Sequence, residues 1–74
     1  MEVTVELFSY FRQGRFIKEI VLLPKGATML DLLKQLKIDP ADVGILVING
    51  TSGTTNAPLQ NSDRVTLVPI IGGG

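Results

Sequence analysis

Residues 23–38 read LPKGATMLDLLKQLKI, and this passage decides how the rest of the chain is read. Pro24-Lys25-Gly26 ends any extended segment before it, and Thr28-Met29-Leu30-Asp31 opens a helix. The Thr28 hydroxyl can accept from the amide three residues on. Asp31 can reach back to the Thr28 amide and also suits the positive end of the helix dipole. Met29, Leu30, Leu33 and Leu36 recur at helical spacing and are the expected buried face, leaving Lys34, Gln35 and Lys37 to water. Lys34 and Lys37 stand near the C-terminal end, where cations complement the dipole.

Toward the N-terminus, Val3, Val5 and Leu7 alternate with Thr4, Glu6 and Phe8, a period-two pattern that predicts a strand with one buried face. Gln13-Gly14 marks a turn, and a second strand is expected from Phe16 to about Leu23, making a hairpin with a short glycine-containing loop. The second strand carries apolar residues on both parities (Phe16, Ile20 and Leu22 on one, Ile17 and Val21 on the other), so its inward face stays open. Toward the C-terminus, Asp39-Pro40-Ala41-Asp42 predicts one helical turn stopped by Gly44. Ile45 to Ile48 predicts a short buried strand closed by a tight turn at Asn49-Gly50. Residues 51–62 are turn-rich, with Ala57-Pro58-Leu59 expected to dip an apolar anchor into the core. The last strand, Arg64 to Ile70, directs Val65 and Leu67 inward and Thr66 and Val68 outward. Strand, strand, helix, strand, strand around one core is an α+β chain with one covered sheet face. It is the ubiquitin-like β-grasp order if the last strand lies parallel beside the first, giving a mixed sheet of four to five strands. The expected division is a β-grasp domain over residues 1–71 and a flexible glycine tail over residues 72–74.

Composition narrows the chemistry. The 74 residues include no Cys, His or Trp. A chain this short buries only ~60% of its unfolded surface. Disulfides and the common zinc sites are excluded as staples, and so is Cys- or His-based catalysis. Stability has to come from packing, which the 45% hydrophobic content supports. Seven basic and seven acidic residues cancel, removing the cationic surplus that nucleic-acid binding needs. No run approaches the ~18 apolar residues of a membrane span, and the N-terminus carries an acidic residue where a signal peptide would be basic. A cytoplasmic location is expected. The Gly50–Thr55 segment (GTSGTT) has a superficial likeness to a phosphate loop but lacks its Lys and its following helix, so it reads as a mobile loop.

Two features call for function. Phe8 and Val68 share the outward parity of two strands that would be neighbours, which makes an apolar patch suited to a partner. Pro69, Ile70 and Ile71 extend that apolar run, and then Gly72, Gly73 and Gly74 follow. Glycines contribute no packing and lose the most entropy when ordered. They suit a tail that threads a carboxylate through a narrow channel in another protein.

The sequence resembles the MoaD/ThiS family of ubiquitin-like sulfur carriers over nearly its whole length: VTVELFSYFR at 3–12, LPKGATMLDLLKQLKI at 23–38, VING at 47–50 and NSDRVTLVPIIGGG at 61–74. The resemblance implies that the Gly74 carboxylate is adenylated and then converted to a thiocarboxylate. Gly73 would give unhindered approach, and Gly72 would extend the tail. The implied partners are an activating adenylyltransferase resembling the ubiquitin-activating type and a sulfur acceptor such as the molybdopterin synthase large subunit. No cofactor is expected to be bound, ATP being consumed by the activating enzyme. Phe8, Val68, Pro69, Ile70, Ile71 and Gly72 are the expected docking residues. The first hairpin, ELFSYFRQGR, is more similar to the molybdopterin-synthase small subunit than to the thiamin carrier. Two departures bear on that subtype. Asn61-Ser62-Asp63 stands where relatives have Asp-Gly-Asp, and Pro69-Ile70 where molybdopterin-type relatives have two prolines. The alternatives are a thiazole sulfur carrier, a protein modifier joined through Gly74, and a non-catalytic β-grasp binding module.

Overall fold

The helix forms where its capping residues set it. In the computed structural model, α1 spans Met29–Leu36, and the Asp31 carboxylate accepts the Thr28 amide at 2.8 Å and the Thr28 hydroxyl at 3.2 Å. Lys37 closes the helix in a left-handed conformation. The structure describes residues 1–71; Gly72, Gly73 and Gly74, with the expected tail, lie outside the described residues.

Five strands make one mixed sheet: β1 (Glu2–Leu7), β2 (Lys18–Leu22), β3 (Val43–Ile48), β4 (Thr51–Ser52) and β5 (Arg64–Pro69), in the spatial order β2-β1-β5-β3-β4. β5 inserts parallel to β1, with Val5 beside Val65 and Leu7 beside Leu67, and every other pairing is antiparallel. The chain therefore has the ubiquitin-like β-grasp fold, with α1 packed on one sheet face. Val3, Val5, Leu7, Val65 and Leu67 point into the core against Met29, Leu32 and Leu33, and Leu59 anchors the long loop there.

Several local expectations change. Leu30 is 40% exposed, and Leu32 takes its place in the core. The buried stripe is Met29, Leu32, Leu33 and the partly buried Leu36, the i, i+3, i+4, i+7 set that one helix face presents. Leu30→Ala should accordingly change stability by less than about 1 kcal/mol, checked by urea titration. The first connection is not a short glycine loop, since a 3-10 turn at Ser9–Arg12 follows β1 and β2 begins only at Lys18. Two arginines hold this longer crossing. Arg12 Nε donates to the Leu7 carbonyl at 2.7 Å, and Arg15 reaches the Leu36 and Lys37 carbonyls at 2.8 and 3.0 Å, satisfying the open end of α1. Phe11, within the 3-10 turn, is buried. On β2 the inward residue is Val21, followed by Leu23 just beyond the strand, while Ile20 and Leu22 lie exposed on the outer face.

The turn at Pro40–Asp42 ends two residues before Gly44, and β3 starts at Val43. β3 is not a buried strand throughout: a register shift between Val43 and Ile45 inserts Gly44 as an extra residue. The shift reverses parity, so Leu46 is buried while Ile45 is 56% exposed. Asn49 and Gly50 both have positive φ, 53° and 81°, as a two-residue hairpin turn requires, and the two-residue strand β4 follows.

A polar cluster joins this hairpin to β5. The buried Asp63 carboxylate accepts from Asn49 Nδ2 and from the Gln60 amide, both at 2.8 Å, and Asn49 Oδ1 accepts the Arg64 amide at 2.8 Å. Asp63→Ala would leave those donors unmatched. A loss of about 1–3 kcal/mol is expected by urea titration, and an unchanged midpoint would mean that water replaces the carboxylate freely.

Candidate functional site: an apolar surface where β5 ends

The parallel register that aligns Leu7 with Leu67 continues for one residue, the Phe8 amide donating to the Leu67 carbonyl at 3.1 Å. Phe8 and Val68 thus take neighbouring register positions on the outer face of the sheet. On the other side of β5, Val68 pairs with Ile45. Three adjacent chain segments therefore contribute Phe8, Val68 and Ile45 to one outer row. Phe8 and Val68 are half-buried rather than fully exposed. The Arg12 guanidinium lies 4.9 Å from the Phe8 ring centroid, so one aromatic face is covered by a cation.

Just past β5 the surface becomes more open. Ile70 is 55% exposed and Ile71 72% exposed, whereas Pro69 is buried on the core side of the strand. Among the sequence-derived candidates, Phe8, Val68, Ile70 and Ile71 are brought to one end of the sheet, Pro69 packs inward, and Gly72 through Gly74 lie outside the described residues. Ile45 and Tyr10 were not among the sequence candidates and belong to this end. Tyr10 sits in the 3-10 turn after β1, edge-on to Phe11 at 5.4 Å, with its hydroxyl 3.4 Å from the Ile70 carbonyl. The signal that could have found Ile45 is the adjacent Gly44, a residue that often marks a bulge inside a strand.

The chemistry available here is recognition. Exposed aliphatic and aromatic side chains offer area for an interface core, and Arg12 adds a cationic edge. Among the described residues, no cluster of three Cys, His, Asp or Glu is placed to hold a metal ion, and no helix is long and apolar enough to cross a membrane.

Comparison with known proteins agrees with the fold. The family model of the ThiS family matches residues 5–74. A structure of a candidate molybdopterin converting factor, subunit 1, from Pyrococcus furiosus superposes with a TM-score of 0.78 at 26% identity, covering 96% of this chain and 99% of that one. Small archaeal modifier protein 1 of Haloferax volcanii gives a TM-score of 0.75 at 16% identity, covering 95% and 98%. The Haloferax volcanii HVO 2177 protein gives 0.79 at 21% identity, covering 100% and 87%. No curated protein matches the sequence.

Proposed function

The chain belongs to the ThiS family, and from that premise we propose that it is a cytoplasmic sulfur carrier for molybdopterin or tungstopterin synthesis. The observation that carries this reading is the family match through residue 74, which takes in the three glycines after β5. The pterin pathway is favoured over thiazole synthesis by the likeness to the Pyrococcus furiosus protein described as a molybdopterin converting factor subunit.

In this reading the Gly74 carboxylate attacks the α-phosphorus of ATP within an activating adenylyltransferase, and pyrophosphate leaves. A sulfur nucleophile then attacks the acyl carbon of the adenylate, AMP leaves, and the thiocarboxylate remains on Gly74. That thiocarboxylate gives up its sulfur to an acceptor such as a molybdopterin synthase large subunit. The reacting group is the main chain, so the lack of Cys and His is no obstacle. Gly73 and Gly74 pass a narrow slot without Cβ clashes, and Gly72 lengthens the approach. Phe8, Ile45, Val68, Ile70 and Ile71 form the docking surface.

The test of docking is Ile45→Asp. The side chain is exposed, so folding should survive. An unpaired carboxylate at the centre of an apolar interface should weaken binding to the activating enzyme by about 1–2 kcal/mol, roughly tenfold in Kd by titration calorimetry. Phe8→Asp should act in the same direction, with some loss of stability because Phe8 is half-buried. Unchanged affinity in both variants would move the docking surface elsewhere. Covalent ladders on other proteins, in cells expressing a tagged chain, would favour the modifier role instead.

A further inference from the structure

β5 leaves the sheet between two 3-10 turns, and both of them hold the same residue. The turn at Pro40–Asp42 is fixed by Asp39, whose carboxylate accepts the Ala41 amide at 2.9 Å, and it presents the Asp42 carbonyl to the Ile70 amide at 2.8 Å. From the other flank, the Tyr10 hydroxyl approaches the Ile70 carbonyl at 3.4 Å. Ile70 lies one residue beyond the last strand position, yet both its backbone polar groups have partners from opposite sides.

Gly44 explains how β5 comes so close. A Cβ built on Gly44 would stand 3.1 Å from the Ile70 Cα, the Ile70 nitrogen and the Pro69 carbonyl oxygen. These are backbone atoms, which cannot swing aside as a side-chain end can. Gly44 also lacks the left-handed φ found at Gly14, Gly26 and Gly50. Space, rather than backbone conformation, favours glycine there, since a Cβ would push the Pro69–Ile70 backbone away by a few tenths of an ångström. It is also the extra residue of the β3 bulge, beyond which the β3–β5 ladder keeps one more pair, Val43 with Pro69.

We infer that Gly44, Tyr10 and the Asp42 carbonyl form a clamp on Ile70 that sets where the C-terminal lead departs from the domain, making Gly44 a positioning residue for delivery of the terminal carboxylate. This rests on the sulfur-carrier reading above. Four residues, 71–74, span about 14 Å at full extension. With so short a lead, the docked surface and the delivered carboxylate have to agree closely, and a misplacement near 1 Å can cost about a hundredfold in rate.

The test compares the full chain with Gly44→Ala and Tyr10→Phe in two readouts. Amide hydrogen exchange reports the clamp, with the Leu7 amide, bonded to the Ile17 carbonyl at 2.8 Å, as internal control. Steady-state thiocarboxylate formation reports delivery, using the host's activating adenylyltransferase, ATP and sulfide. In Gly44→Ala, Ile70 should exchange about tenfold faster while Leu7 is unchanged. The kcat should fall by about tenfold or more, with KM for the carrier within about twofold. Tyr10→Phe adds no atom and should move both readouts the same way by less. If Gly44→Ala does not fold, Tyr10→Phe decides, and no change in either readout overturns the clamp. Unchanged Ile70 exchange in Gly44→Ala overturns it as well. Faster exchange with unaltered kcat removes the positioning role, and a raised KM with unaltered kcat makes Gly44 a docking contact instead. Failure of the carrier reading has a separate signature: the wild type gains no sulfur while Ile70 stays protected. The clamp would then be only a lock on the strand end, and the delivery role falls with the reading.

Discussion

Deleting Gly73 and Gly74 is expected to abolish activation while leaving the melting curve nearly unchanged. Adenylation needs a carboxylate in line with the ATP α-phosphate, and near-attack geometry tolerates little displacement. A chain two residues shorter brings its carboxylate up short by about 7 Å at full extension. A fully extended backbone at Ile71 and Gly72 is already assumed in that figure, so no further extension can make up the gap. Folding should not notice, because β5 ends at Pro69 and, among the described residues, the last backbone groups with hydrogen-bond partners are those of Ile70. Gly73→Val should reduce activation by about a hundredfold or more through the Cβ and its branches. The measurement is adenylate-dependent pyrophosphate exchange alongside differential scanning fluorimetry. Full exchange by the truncated chain would detach the tail from the chemistry.

Leu33→Ala is expected to leave a large fraction of the molecules unfolded at room temperature. Leu33 is fully buried between α1 and the sheet, among Leu7, Leu32, Val65 and Leu67 of the same core cluster. Truncating such a leucine removes its transfer energy and leaves a cavity, together about 2–5 kcal/mol. A single core of this size, without disulfide or metal, supplies about 3–5 kcal/mol in total. The two figures are comparable, so the substitution should bring the midpoint of urea unfolding close to zero denaturant. Leu30→Ala is the control on the same helix, since Leu30 is 40% exposed. Equal effects from the two variants would mean that the helix is rotated about its axis relative to the packing described.

The sequence reveals most where one physical rule acts alone. On β1 and β5 polar residues alternate with Val and Leu, and the inward faces follow directly. The capping box at Thr28 and Asp31 places the start of α1 to the residue. The rest depends on partners far along the chain. β2 is an edge strand with apolar residues of both parities, Ile20 and Leu22 on one and Val21 on the other, and only pairing with β1 selects Val21 as inward. Leu30 and Leu32 are equally apolar, and the position of the sheet decides between them. Ile45 sits in an unbroken apolar run, and the bulge at Gly44 that turns it outward depends on pairing with β5. The link from Asn49 to Asp63 spans 14 positions and has no periodicity to betray it. The candidate site was therefore half legible: Phe8, Val68, Ile70 and Ile71 follow from parity and position, whereas Ile45, Tyr10 and the role of Gly44 exist only once β5 lies between β1 and β3.

Whether Gly74 carries sulfur can be read from an intact mass spectrum. The full-length chain is incubated with ATP, sulfide and the host's activating adenylyltransferase, and then fragmented. A sulfur carrier should gain the mass of one sulfur replacing one oxygen, localised to Gly74 and absent without ATP. A chain that binds the enzyme through the Phe8 and Ile45 surface yet never acquires that mass is not a sulfur carrier but a β-grasp binding module.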